Sequence, residues 1–396
     1  MLTALCLTAV VLAAPDAGPV APDAGVAPAP TKTQLSVSQQ PAVMAEALDA
    51  ALTIAPWLPS PGAFRDPANQ KAIGSSLEVL SRLRHPFMRG PGASSTGVAE
   101  LFTQQATTAR LDFASGGTEA ARRRAQGLTQ LCIACHLREP RRDFLDPEKR
   151  VEGLHLPPLQ QAHFYAVTRQ FDRALEVWKA ELAKPRPETD VFEELESLRL
   201  AIRVAVRARD DAKLVQQLLA PQVKRTELPG FTRRELKLWQ VDAAAWEKES
   251  FALATQKPEA LVARAKQLAE ASGALTNITP ASEHFIKLLR AASYLDEAMR
   301  QEPQAAYRGE ALYLLGVVHG AVADLSLWQL EWAYFENCVR ENPATTLAVT
   351  CAERLKDRTW FNWRSGSDMP AATQVALNEL MAIARGAAKA PEKKTK

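Results

Sequence analysis

The sequence predicts an all-α protein made of two helical parts, and two observations lead to that prediction. Strong helix formers dominate the 396 residues, because alanine, leucine, glutamate, lysine and arginine are abundant while glycine occurs only 18 times. Apolar residues also recur at spacings of three and four, the period of a helix with one buried face. We expect a four-helix bundle first and an α-solenoid of helix pairs after it.

Two segments precede the first predicted helix. Residues 1–14 are apolar and end in Val11-Leu12-Ala13-Ala14, which is typical of a secretory signal peptide, although no Lys or Arg precedes the apolar run. An uncleaved apolar tail is the alternative. Residues 15–40 are rich in proline and alanine and predict an extended linker. The signal implies export to an oxidising compartment such as the periplasm.

The bundle is predicted over residues 41–142. Its helices are expected at about 41–55, 66–84, 96–114 and 117–138, each with apolar residues on one face. Asp66 and Pro67 predict the N-cap and first residue of the second helix. The run Arg122-Arg123-Arg124 predicts a solvated face on the fourth helix, away from its C-terminal end.

The most informative stretch is Cys132-Ile133-Ala134-Cys135-His136, near the end of the fourth predicted helix. Two thiols three positions apart, with a histidine directly after the second, form the attachment pattern of c-type haem. On one helical turn the two sulfurs can reach the two vinyl-derived carbons at one porphyrin edge. The pattern therefore predicts one haem c, covalently bound through Cys132 and Cys135, with His136 as the proximal iron ligand.

A zinc site or a redox-active thiol pair would account for this motif less well. A zinc site would need two more ligands at a usable spacing, and the nearest candidates are His155 and His163. A thioredoxin-like pair would follow a strand, whereas the flanks here predict helix. A simple disulfide between Cys132 and Cys135, or a chance arrangement, is the remaining alternative.

The motif at the end of a fourth helix resembles the cytochrome c-prime family, four-helix bundles that carry Cys-x-x-Cys-His in the last turns of helix four. The resemblance covers roughly a quarter of the chain, and Cys132–His136 is its only specific motif. In the small globular cytochromes c the motif comes first and a methionine ligand follows. No methionine occurs here between His136 and Met299, which disfavours that class.

The second iron ligand is left open by the sequence. An up-down-up-down bundle brings three candidates to the haem end: Met44 on the first helix, and His85 and Met88 in the loop after the second. The cytochrome c-prime resemblance implies a distal residue on the first helix, which favours Met44. A five-coordinate iron with an open distal site is the other alternative.

Basic residues follow the haem histidine. Arg138 and Arg142 are candidates for bidentate contacts with the haem propionates. The alternative is that they form a basic helix C-terminus, which the helix dipole favours in any case.

Residues 155–388 predict helical repeats. The stretch 159–178 resembles one tetratricopeptide repeat, with small residues where its two helices approach and aromatic residues filling the pair. A second unit is expected over residues 309–338, ended by Asn342-Pro343. Further helices are predicted near 191–207, 233–255, 258–273 and 282–301. Residues 389–396 predict a disordered basic tail.

The two remaining cysteines predict a disulfide. Cys338 lies just before the Asn342-Pro343 turn and Cys351 about two helical turns after it, so they can face each other on an antiparallel hairpin. A bond there would staple the last repeat if the protein is exported. Two separate buried thiols are the alternative.

Composition narrows the function classes. The net charge is only +3, with basic and acidic residues interspersed, which argues against nucleic acid as a main partner. No apolar run reaches the length that spans a bilayer, and no catalytic signature stands out. We expect an electron carrier whose repeats dock a redox or scaffold protein. A haem-based gas-binding sensor and a structural scaffold are the alternatives.

Overall fold

A computed structural model describes residues 40–83, 96–136, 147–184, 191–322, 330–363 and 369–387. Helices account for most of these ranges, and no β-strand occurs within them. The predicted all-α class is therefore confirmed. The helices that concern the candidate site are α1 (Gln40–Ile54), α2 (Pro61–Arg65), α3 (Pro67–Arg82), α4 (Thr96–Ala114) and α5 (Thr118–His136).

Local sequence explains where these helices begin. Asp66 caps α3, because its carboxylate accepts a hydrogen bond from the backbone N–H of Ala68 at 2.9 Å, and Pro67 occupies the first helical position as predicted. The short helix α2 was not predicted. It starts at Pro61 within the proline-rich segment, where the Ser60 hydroxyl accepts from the N–H of Ala63 at 3.2 Å.

Helix α4 runs antiparallel to both α3 and α5. At one end of the α3–α4 pair the hydroxyl of Thr103 lies 3.5 Å from the carbonyl of Leu83, and at the other Gly74 lies against the ring of Phe113. The α4–α5 hairpin is held by Arg124 and Asp112, whose side chains are 2.7 Å apart. The C-terminal turns of α5 therefore lie at the end of the group where α3 finishes and α4 begins.

The remaining helices follow as packed neighbours. They are α6 (Pro147–Glu152), α7 (Pro158–Val167), α8 (Phe171–Leu182), α9 (Val191–Arg207), α10 (Ala212–Gln222), α11 (Gly230–Glu247), α12 (Pro258–Ala271), α13 (Phe285–Gln301), α14 (Arg308–Val322), α15 (Leu330–Glu341), α16 (Thr346–Trp363) and α17 (Ala371–Ala384). Helices α7 and α8 form the hairpin expected over 159–178, and α14 and α15 form the one expected over 309–338. Helix α10 lies in a stretch for which no helix was predicted.

Contacts also join helices that are distant in sequence. Helix α9 packs against α13, where Arg207 forms a buried ion pair with Asp296. Helix α15, near the C-terminal end, packs against α4, near the N-terminal end. A simple stack of repeats places each unit only against its neighbours. This chain instead folds back, so that its late helices contact its early ones.

The predicted disulfide is present. Cys338 at the end of α15 and Cys351 in α16 are bonded, and both residues are fully buried. The side-chain amide of Asn342, in the turn between the two helices, donates to the carbonyl of Cys338 at 2.8 Å. The bond and this cap together fix the α15–α16 hairpin.

Candidate cofactor site at the end of helix α5

Helix α5 carries the cysteine motif in its final turns. Its backbone is helical through His136. Cys132 and His136 follow Thr129 by three and seven positions, so the three positions share one face of the helix. The side chains of Cys135 and His136 lie outside the described part of the chain.

The environment of Cys132 favours an uncharged sulfur. The residue is partly buried against the hydrophobic core, and burial raises the pKa of its thiol to about 12. A thiolate is the form that binds metals and attacks disulfides, and this setting disfavours it. A thioether carries no charge and fits the same setting. Within the described residues, no group of three or more His, Cys, Asp or Glu side chains is arranged to hold a metal ion.

A histidine from α7 lies on the face of α5 that carries Cys132. The Nε2 of His163 is 2.8 Å from the hydroxyl oxygen of Thr129, one helical turn before Cys132. Desolvation lowers the pKa of His163 to about 4, so its imidazole is neutral at physiological pH. The sequence indicated His163 only as one of the two histidines nearest to the motif that a zinc site could use. Thr129 shares a face with Cys132, but the sequence does not reveal that α7 packs there.

Helices α6 and α7 connect α1 with α5. Arg150 of α6 forms an ion pair with Asp49 of α1, while α7 packs on α5 through His163. Helix α1 and helix α5 do not pack closely on each other in the described structure. The segment that follows α1 contacts the first turns of α5, where the carbonyl of Leu58 accepts hydrogen bonds from Arg122 and Gln126. The motif thus lies on the part of α5 that packs against α7.

The other predicted site residues are described only in part. Met44 is partly buried on α1, in the half of the helix away from Leu58. His85, Met88, Arg138 and Arg142 lie outside the described residues. Ligation by Met44 and propionate contacts by the two arginines remain predictions.

The run of three arginines on α5 is not the solvated face that the sequence predicted. Arg122 is mostly buried and donates to the carbonyl of Leu58 at 2.6 Å and to Glu119 at 2.8 Å. Arg124 bridges to Asp112 of α4, and only Arg123 is largely exposed. Hydrogen bonds from Arg122 and Arg123 lower the pKa of Glu119 to about 2. The three arginines do lie away from the C-terminal end of α5, as the sequence predicted. The sequence did not reveal their partners outside α5.

Comparison with protein-family models, with curated proteins and with solved structures finds no match to this chain.

Proposed function

We propose that this chain is an exported c-type cytochrome that carries one haem, bonded to Cys132 and Cys135 and ligated by His136, and that transfers single electrons. The observation that carries the proposal is the placement of Cys132-x-x-Cys135-His136 on the last turns of α5, with a desolvated Cys132 facing the junction with α7. When bound, the haem supplies the one-electron chemistry of its iron.

The protein's own residues would bind the haem and set its surroundings. Cys132 and Cys135 hold its edge, and His136 fixes the metal from the same helix. Thr129 and the neutral His163 border this face without adding charge. Burial and the choice of axial ligand are the means by which a protein tunes such a centre. Met44 of α1 would supply the second ligand.

The remaining parts of the proposal concern location and partners. The Cys338–Cys351 disulfide supports an oxidising compartment and therefore export to the periplasm. The helix pairs α7–α8 and α14–α15 support tetratricopeptide-like repeats that dock a redox or scaffold partner, in a chain where α15 also packs on α4. Among the described residues, no helix is both long and apolar enough to cross a bilayer.

The proposal is tested by expressing the full chain in cells that attach haem to c-type cytochromes. We expect the intact mass to increase by one haem and the denatured band to stain for haem. The double variant Cys132→Ala/Cys135→Ala should lose both signals completely. The matched variant Cys338→Ala/Cys351→Ala removes the same number of cysteines and should keep them. Colourless wild-type protein of unmodified mass would refute the proposal.

An absorption spectrum of the same material tests the second ligand. A low-spin reduced spectrum that carbon monoxide leaves unchanged supports electron transfer with Met44 bound, and Met44→Ala should convert it to a spectrum that responds to carbon monoxide. A wild-type spectrum that already shifts with carbon monoxide would instead favour gas binding.

A further inference from the structure

Helix α11 presents an apolar stripe to solvent although its other face is buried. Three apolar side chains remain exposed on it: Phe231 by 71%, Leu238 by 36% and Val241 by 63%. Their spacings of seven and three place them along one side of the helix. Large apolar side chains that cluster on one exposed ridge indicate an interaction surface more than isolated ones do.

The inner face of α11 fixes this orientation. The indole N–H of Trp239 donates to the carbonyl of Ser282 at 2.7 Å, and its ring packs on Phe285 with centroids 5.0 Å apart. Leu236, Trp239 and Ala243 are buried in the core. Because these contacts lock the helix in place, the stripe of Phe231, Leu238 and Val241 cannot turn inward without breaking them.

Cations accompany the stripe, and none of them has a partner among the described residues. Arg233, Arg234 and Lys237 are exposed, and in the described part of the chain none of them forms an ion pair or a side-chain hydrogen bond.

The acidic residues of α11 are already engaged elsewhere. Glu235 interacts with Ser282 and Arg199, and Asp242 binds Lys287 at 2.5 Å. Glu247 accepts from the side-chain amide of Gln216 at 2.6 Å. The outer surface of the helix is therefore apolar and positively charged, with its own anions committed to the fold.

We propose that the outer face of α11, defined by Phe231, Arg233, Arg234, Lys237, Leu238 and Val241, binds the surface of a bilayer that contains anionic phospholipids. An exposed helix ridge that combines apolar residues with Lys and Arg can bury the former at the headgroup boundary while the latter meet lipid phosphates. An exposed ridge can lie along a planar surface. The cations, which lack partners among the described residues, favour a surface that is negatively charged. The net charge of the whole chain is only +3, so the attraction would be local to this face.

The test is co-sedimentation of the full chain with vesicles of phosphatidylglycerol and phosphatidylcholine, compared with vesicles of phosphatidylcholine alone. We expect binding to the anionic vesicles only, and loss of binding when the salt is raised to about 1 M, where the screening length falls to about 3 Å.

Two double variants separate the charged and apolar contributions. Arg234→Glu/Lys237→Glu should weaken binding to anionic vesicles by about tenfold or more, given the contribution of each cation near such a surface. Phe231→Ser/Val241→Ser should also reduce it. Lys257→Glu/Lys356→Glu changes the net charge equally at exposed positions outside α11, and Val375→Ser removes another exposed apolar side chain; both should bind as the wild type does.

Circular dichroism on each variant checks that the helical fold is intact, as we expect for substitutions at exposed positions. Absence of binding by folded wild-type protein, equal binding to both kinds of vesicle, or equal losses in the α11 variants and their controls would each overturn the proposal. Binding to a soluble acidic protein without vesicle binding would overturn it too, and would show a protein docking site instead. None of these readouts depends on haem.

Discussion

The hydroxyl group of Thr129 has one proton and two polar neighbours. Its oxygen lies 2.7 Å from the carbonyl oxygen of Gln126 and 2.8 Å from the Nε2 of His163. Because a carbonyl oxygen only accepts, the hydroxyl donates to Gln126 and accepts from the imidazole N–H. His163 is therefore the Nε2–H tautomer, with Nδ1 unprotonated while the ring is neutral.

The lowered pKa of His163 predicts a pH dependence of stability. The pKa of His163 is about 4 in the folded protein and 6.5 for a free histidine. Between these values the unfolded chain binds a proton that the folded chain does not. The free energy of unfolding should therefore decrease as the pH falls from 6.5 to 4, by up to about 3 kcal/mol from this residue.

His163→Gln should make that decrease smaller, because glutamine can donate to Thr129 and does not titrate. Urea unfolding followed by circular dichroism at several pH values measures the slope for both proteins. His319, stacked on Tyr334, also has a lowered pKa and contributes in the same direction, so a residual slope is expected. An unchanged slope in His163→Gln would show that the imidazole titrates normally in the folded state.

At the scale of helices, a single glycine sets how closely α14 and α15 pack. A Cβ added at Gly316 would lie 2.7 Å from carbons of the Phe335 ring, which is itself fully buried. A small residue at this point lets the ring lie directly on the α14 backbone. The hairpin that the sequence predicted over 309–338 therefore depends on this contact.

Overpacking of a filled core by Gly316→Ala should cost about 1–3 kcal/mol. Alanine brings a gain of about 1 kcal/mol in helix propensity, so we expect a net destabilisation of up to about 2 kcal/mol. The thermal unfolding midpoint measures the change. Gly230→Ala, at the first position of α11, adds a Cβ with no heavy atom within 4 Å and should not lower the midpoint. Equal midpoints for Gly316→Ala and the wild type would mean that α14 and α15 can move apart at little cost.

Helix positions were the most predictable feature. The periodic stretches at 96–114 and 191–207 match α4 and α9, because apolar spacing and capping residues act within a few positions. Helix α10 was missed, although the carboxylate of Asp211 caps it through the N–H of Leu214 at 2.9 Å. Its short apolar pattern is interrupted by Pro221 inside the helix, which obscured the period.

At the scale of the whole molecule, the contacts between distant helices were not predictable. The motif identified Cys132, Cys135 and His136 as a unit, yet nothing in their spacing reveals His163 as a neighbour. Likewise, the packing of α15 on α4 depends on the relative orientations of all the helices that lie between them in the sequence. Such contacts are set by complementary surfaces that are far apart in sequence, and single-sequence patterns record only local periodicity.

The contact between α15 and α4 predicts that the disulfide influences both ends of the chain. Cys338→Ala/Cys351→Ala removes a cross-link between α15 and α16 whose effect on stability is typically about 2–4 kcal/mol. Hydrogen exchange should become faster in α15 and α16, and also in α4. Exchange in α8, which packs against α7, α9 and α10, should be unchanged. Uniform acceleration throughout the chain would instead indicate one cooperative unit.

The burial of Cys132 has a consequence for the order of events during biosynthesis. With a pKa of about 12, its sulfur is almost never ionised at neutral pH once α5 and its neighbours have assembled. Helix α4, the partner of α5, acquires its final neighbour only after α15 has been synthesised. If haem is attached at this sulfur as proposed, we expect the attachment to precede folding, while the newly made polypeptide still exposes the thiol.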